Sequence, residues 1–279
     1  MNLKAVIPVA VIVVVIIGAY TGGLFGTGDR SEIQTLSVQG STTVLPIVQK
    51  AAERYMDLHA TVNIQISGGG SSVGVKSAGE GTVDIGMASR ELKDAEKNEY
   101  PDLKVITIAR DGIALIVNLS NPISGVTVEE VKGIYDGTYT NWSELGGDDV
   151  DIVVVGRDSA SGTREFFWEH VMKKEDFVAG MLEKNSNGAV KQTIIQTPGA
   201  VGYVGLGYID STIKVLTVKV GDEEVEPTIE NVKNGSYPIS RNLYLLVKGG
   251  PEGLAKDFID FILSDEGQSI VQEEGFVPV

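Results

Sequence analysis

Three times along this chain a short apolar run gives way to a loop of serine, threonine and glycine, and the loop runs straight into a helix. The clearest case passes from Ile152-Val153-Val154-Val155-Gly156, a buried-strand signal, through Arg157-Asp158-Ser159-Ala160-Ser161-Gly162-Thr163-Arg164 into the helical stretch from Glu165 to Met172. Earlier come Gly40-Ser41-Thr42-Thr43-Val44-Leu45-Pro46, with Pro46 in a first helical turn, and Ser67-Gly68-Gly69-Gly70-Ser71-Ser72-Val73-Gly74-Val75-Lys76. A strand that feeds a helix directly needs that helix to carry the chain back. The repeated pattern therefore predicts an α/β fold with largely parallel sheets.

The rest of the chain keeps the alternation. Val62, Ile64 and Ile66 alternate as in a strand, and Val105–Ile108 and Ile113–Val117 are two strand signals interrupted by Arg110-Asp111-Gly112. Thr127 and Glu130 form a capping box. Val201–Val204, Ile213–Val220 and Leu243–Val247 read as further strands, and Leu254, Phe258, Phe261 and Ile262 share one face of a helix opened by Pro251. The chain has 279 residues, 42% of them hydrophobic, which is enough for two lobes. No internal repeat or low-complexity linker divides it, so two lobes would arise from chain crossings.

Charge and composition exclude several functions. A net charge of -15 argues against nucleic-acid binding. There is no cysteine, and His59 and His170 are the only histidines, so no metal site and no cofactor are expected. Lys4 is the only charged residue before Asp29, and Val11 to Ile17 is wholly aliphatic. Residues 1–30 read as a signal peptide or a membrane anchor, since at about 1.5 Å per residue the stretch from Ala5 to Phe25 just spans roughly 30 Å of hydrocarbon. The remainder is expected outside the cytoplasm, on the outer face of the membrane or in a periplasm-like space.

The three loops suit an oxyanion. The first N–H groups of a helix lack partners within it and present the positive end of its dipole. Gly162 admits an anion close to the backbone, Ser161 and Thr163 add hydroxyls, and Arg157 or Arg164 can add a forked charge-assisted contact. The second loop is not a P-loop, because Val75 separates Gly74 from Lys76. It does match G-x-S-x-G across Gly70–Gly74, which leaves a serine hydrolase or phosphatase using Ser72 as an alternative, with only His170 in the right order for a triad.

In this order the loops resemble the PstS-like family, the substrate-binding proteins of the phosphate ABC importer. Supporting segments are Asp84-Ile85-Gly86-Met87-Ala88-Ser89-Arg90, Asp111-Gly112-Ile113-Ala114, Thr140-Asn141-Trp142, Thr197–Tyr203 and Tyr237-Pro238-Ile239-Ser240-Arg241. The resemblance implies a two-lobed, type II-like periplasmic-binding-protein fold that closes over one inorganic phosphate and hands it to permease subunits. It implies a monomer and a binder with no catalytic residue. Lobe one would be 31–111 plus 237–279, and lobe two 112–236. Thr42 and Thr43, with Ser41 beside them, match the first loop; Ser71, flanked by Gly70 and Ser72, matches the second; Arg157, Ser161, Gly162 and Thr163 match the third. After Ala88-Ser89, where well-known members carry an aspartate that accepts the phosphate proton, this chain has Arg90; Ser89 and Arg90 are both expected among the phosphate-binding residues. Asp111, where the chain should cross between lobes, is the substitute acceptor expected here. Another tetrahedral oxyanion, such as sulfate, molybdate or tungstate, is the alternative ligand.

Overall fold

The structure, a computed structural model, describes residues 32–279, so the expected signal or anchor at 1–30 lies outside the described residues. Among the described residues no helix is long and apolar enough to cross a membrane.

Strand β1 (Gln34–Gly40) buries Leu36 and Val38 on alternate positions, and α1 (Leu45–Leu58) covers it with Ile47, Val48, Ala51, Ala52 and Tyr55. The chain returns through β2 (Val62–Ser67), α2 (Ser71–Glu80) and β3 (Ile85–Ala88), with β2 and β3 both parallel to β1. After α3 (Asp94–Glu99) it enters β4 (Leu103–Val117). Here the structure departs from the expected pair of strands, because β4 is continuous through Arg110-Asp111-Gly112. The polar triplet does not break the strand because its groups find partners off it. Arg110 donates to the carbonyls of Val232 and Lys233, and Asp111 accepts from Arg241 and from the N–H of Leu206.

The second half begins with β5 (Gly125–Thr127) and α4 (Val128–Asp136), joined by the expected Thr127–Glu130 capping box. Next come β6 (Val153–Arg157), α5 (Gly162–His170), β7 (Leu182–Lys184), α6 (Asn187–Gln196) and β8 (Ala200–Gly205). The run Ile213–Val220 is not one strand. It divides at Leu216 into β9 (Lys214–Val215), which lies on β4, and β10 (Thr217–Val220), which pairs with β5 and, through a turn at Gly221-Asp222, with β11 (Glu223–Val225). Helix α7 (Ile229–Asn234), strand β12 (Ser240–Lys248) and helices α8 (Gly253–Leu263) and α9 (Asp265–Glu273) complete the chain.

The larger sheet runs β2-β1-β3-β12-β4-β8-β6-β7, with β9 also on β4; β11-β10-β5 form the smaller. Both ends of the larger sheet are parallel, but β4 and β12 run antiparallel to their neighbours, so the sheets are mixed and not largely parallel. The cause is topological. Strand β4 carries the chain out of the first core and β12 brings it back, and strands that leave and return side by side must oppose each other. Two principal cores result. One gathers Leu36, Ile47, Met87, Leu245 and Phe258; the other gathers Leu115, Tyr135, Trp142, Phe167 and Tyr203. Strand β4 pairs with β12 from Leu103 to Gly112 and with β8 from Ile113 to Val117, changing partners between the two cores.

Candidate functional site

Four helix N-termini point at one small polar cluster between the cores. The first loop brings Ser41, Thr42 and Thr43 ahead of α1, and all three are buried. Ser41 Oγ accepts from the Thr43 N–H at 3.2 Å, folding the loop on itself. The second loop ends in Gly70, whose positive φ of 92° sets Ser71 at the start of α2. Ser71 is fully buried; its Oγ accepts from the Ser89 N–H at 3.0 Å and lies 3.2 Å from Ser89 Oγ. The third loop brings Gly162 and Thr163 at the start of α5, with Ser161 as the cap accepting from the Arg164 N–H.

The third loop presses directly against the first two. Thr43 Oγ1 and Thr163 Oγ1 are 3.2 Å apart, and the Ser72 N–H donates to the Ala160 carbonyl at 3.1 Å. A β-carbon at position 162 would lie 2.2 Å from Ser71 Oγ, and one at position 70 would lie 2.5 Å from the Ala160 oxygen, so glycine is required at both contacts. At the rim, Lys93 and Glu165 form an ion pair of 2.8 Å.

The charges in the cluster do not balance. Arg157 is 1% exposed and makes no ion pair among the described residues. Its Nε and Nη2 donate to the carbonyls of Lys184 and Asn185 at 3.1 and 3.2 Å, and its backbone N–H donates to Tyr203 Oη. Burial lowers its pKa, and a guanidinium stays charged in proteins. Arg241, also buried, pairs with Asp111, which is fully buried. Arg241 Nη2 reaches Asp111 Oδ2 at 2.9 Å, Thr163 Oγ1 at 3.0 Å and Thr43 Oγ1 at 3.3 Å. Burial pushes the Asp111 carboxyl up, opposed by Arg241 and by the Leu206 N–H. Two buried guanidiniums thus face one hydrogen-bonded carboxylate. An excess buried positive charge is costly unless an anion joins it.

Most of the expected residues meet here: Ser41, Thr42, Thr43, Gly70, Ser71, Ser89, Arg157, Ser161, Gly162 and Thr163. Three stand differently from expectation. Ser72 and Arg90 belong to a neighbouring network, in which Arg90 donates to both carboxylate oxygens of Glu96 at 2.7 Å and to Ser72 Oγ at 3.1 Å. Arg90 is held there because Glu96 caps α3 and its carboxylate is already fixed by the Lys93 N–H. Asp111 lies at the cluster with three N–H donors already converging on its carboxylate, two of them from Arg241. Arg164, the alternative to Arg157, turns outward to the Arg157 carbonyl and Glu183. Ser72 has its hydrogen bond from an arginine and none from a histidine, unlike the nucleophile of a serine hydrolase.

Two members escaped the sequence. Asn187, fully buried at the start of α6, donates to Thr42 Oγ1 and Thr43 Oγ1 at 3.2 and 3.1 Å. Its signal was the Ser186 cap just before it. Arg241 lies within a segment that carries the family resemblance, but nothing local marks it as part of a binding site. Tyr208 Oη also reaches in, donating to the Thr42 carbonyl at 2.5 Å.

Residues 26–266 match the family model described as a PBP superfamily domain. The phosphate-binding protein PstS of Bacillus subtilis is 35% identical over 257 residues, covering 90% of this chain and 83% of its own. PstS of Pseudomonas aeruginosa is 33% identical over 267 residues, covering 88% and 83%. A crystal structure from Clostridium perfringens, described as a candidate phosphate ABC transporter substrate-binding protein with bound phosphate, superposes with a TM-score of 0.83 at 42% identity, covering 88% of this chain and 100% of that one. An ABC-type phosphate transport receptor from Vibrio cholerae gives a TM-score of 0.71 at 32% identity, with 88% and 100% covered.

Proposed function

The chain belongs to the PBP superfamily and, within it, to the PstS phosphate-binding proteins, and from that premise we propose that it captures inorganic phosphate outside the cytoplasm and delivers it to an ABC-type permease. The observation that carries this reading is Arg157, a fully enclosed guanidinium without a carboxylate partner among the described residues, at the head of the third loop and held by the carbonyls of Lys184 and Asn185, next to a cluster of loop hydroxyls and helix N-termini. Such a site binds an anion by dipoles and charge-assisted hydrogen bonds, and makes no covalent bond to it. The proposed ligand-holding set is Ser41, Thr42, Thr43, Gly70, Ser71, Ser89, Arg157, Ser161, Gly162 and Thr163.

The proposed lobes are 31–111 with 237–279, and 112–236. The change of partners on β4 between Gly112 and Ile113 supports the first crossing, and the entry of β12 at Ser240 supports the second. Contacts between the third loop and the first two would then form on closure around the anion. The protein is taken to act as a monomer, tethered or released according to the fate of residues 1–30. The test is calorimetric titration of phosphate-stripped protein with phosphate, sulfate and molybdate. One phosphate per chain, with a raised melting temperature by mass action, is expected. Unchanged melting at millimolar phosphate would remove the reading.

A further inference from the structure

Arg241 and Asp111 are cross-strand partners, on β12 and β4, at the last pairs before β4 changes neighbours. They lie 130 residues apart in sequence and are both almost wholly buried. The arginine presents Nε and Nη2 to the same carboxylate oxygen, at 3.1 and 2.9 Å. The other carboxylate oxygen accepts from the Leu206 N–H at 2.9 Å. The backbone at Gly205 closes over the pair: a β-carbon there would lie 3.0 and 3.1 Å from the two carboxylate oxygens and 2.8 Å from Thr43 Cγ2. Three donors and a packed backbone leave this carboxylate poorly placed to receive a proton from a ligand.

The guanidinium is in the opposite condition. Its Nη2 touches Thr43 and Thr163, hydroxyls that belong to the first and third loops. Its Nη1 is buried and has no hydrogen-bond partner among the described residues. A buried charged donor left unpaired is strongly unfavourable, and an anion among those hydroxyls would satisfy it.

We propose that Arg241 is a second anion-binding guanidinium and that Asp111 is its positioning residue, not the acceptor of the phosphate proton. The inference rests on the phosphate-binding reading. The carboxylate fixes the fork so that the arginine is preorganised where the loops meet. Because Arg241 touches hydroxyls of both the first and the third loop, it also ties anion binding to their approach. Asp111 then acts on every tetrahedral anion alike and does not by itself separate phosphate from sulfate.

A double-mutant cycle tests this, with phosphate and sulfate as the probes. Arg241→Gln should weaken phosphate binding by about 30-fold or more, as expected for a lost charge-assisted contact. Asp111→Asn should weaken it by about tenfold in the native background, but by less than about threefold when Arg241 is already glutamine, because residues acting through one contact are not additive. Sulfate affinity should not rise in Asp111→Asn. Additive losses, or a gain in sulfate affinity, would overturn the proposal, since a proton acceptor repels sulfate and its removal relieves that repulsion. Should Asp111→Asn fail to fold, Arg241→Lys keeps a charge beside Asp111 while losing the fork. Phosphate binding by Arg241→Lys at the native level would equally overturn it. Wild-type protein that binds no phosphate would instead remove the underlying reading, so the two failures are distinguishable.

Discussion

Arg90 and Arg241 look alike by burial and pairing. Each is nearly inaccessible, each meets a carboxylate, and each leaves one guanidinium nitrogen without a partner. They differ in what they join. Arg90 gathers the Glu91 carbonyl and Glu96 beside it in sequence and, of the loops of the cluster, Ser72 of the second alone. Arg241 gathers Asp111, Thr43 and Thr163, from three separate parts of the molecule, two of them loops of the cluster. A buried arginine–carboxylate pair is therefore no mark of function in itself. The mark is whether the pair spans the loops whose helix N-termini converge.

Arg157 extends the comparison, because it has no carboxylate at all and should depend most on a ligand. Arg157→Ala should weaken phosphate binding by about 2 kcal/mol or more, measured by titration calorimetry. An effect smaller than that of Arg90→Gln would invert this ordering. Arg90→Gln should instead cost stability, about 1–3 kcal/mol from a disrupted buried pair, while phosphate affinity changes less than about threefold. Denaturant unfolding and titration of the same sample separate the two effects.

Acid provides a subtler probe of the same network. Burial pushes the Glu96 carboxyl up, but the hydrogen bonds from Arg90 and Lys93 and the charges of both outweigh it, so it sits below the ordinary glutamate range. A lowered carboxylate contributes stability above its unfolded value and loses it as pH falls through the folded one. Wild-type stability should thus decline below the ordinary glutamate pKa, and the decline should be shallower in Arg90→Gln, as melting curves across that range would reveal. The smallest effect is expected from Lys76, which projects into solvent beside Glu80. Lys76→Ala should change both stability and affinity by no more than about 0.5 kcal/mol. A large loss of affinity would bring the second loop's lysine into the site.

The loops were legible because their signals are local. Hydroxyl, glycine and proline placement fixes a helix start, and a helix start fixes where the unpaired N–H groups point. Residues such as Thr43, Ser71 and Gly162 could therefore be placed from sequence, and the family resemblance ordered them. The course of β4 was not legible, since Arg110-Asp111-Gly112 looks like a turn until its partners on distant segments are known. Arg241 was hidden for the same reason: it enters the cluster only through the register that sets it opposite Asp111. Asp111 stood out in the sequence as a cleft carboxylate, but sequence does not reveal the three N–H donors already converging on it, which support the positioning role proposed above. Arg90 stood where an acid was expected, and only its capping partner Glu96 explains where the guanidinium goes.

The contact at Gly162 carries a consequence for engineering. The third loop can seat against Ser71 only because position 162 has no side chain. In the two-lobed reading proposed above, a single methyl group there would act as a wedge, tolerable while the lobes stand apart and obstructive once they meet. Gly162→Ala is thus a route to a molecule arrested ajar, with its donors intact but never assembled. Such a decoy would allow a permease's response to the open shape to be measured apart from any cargo.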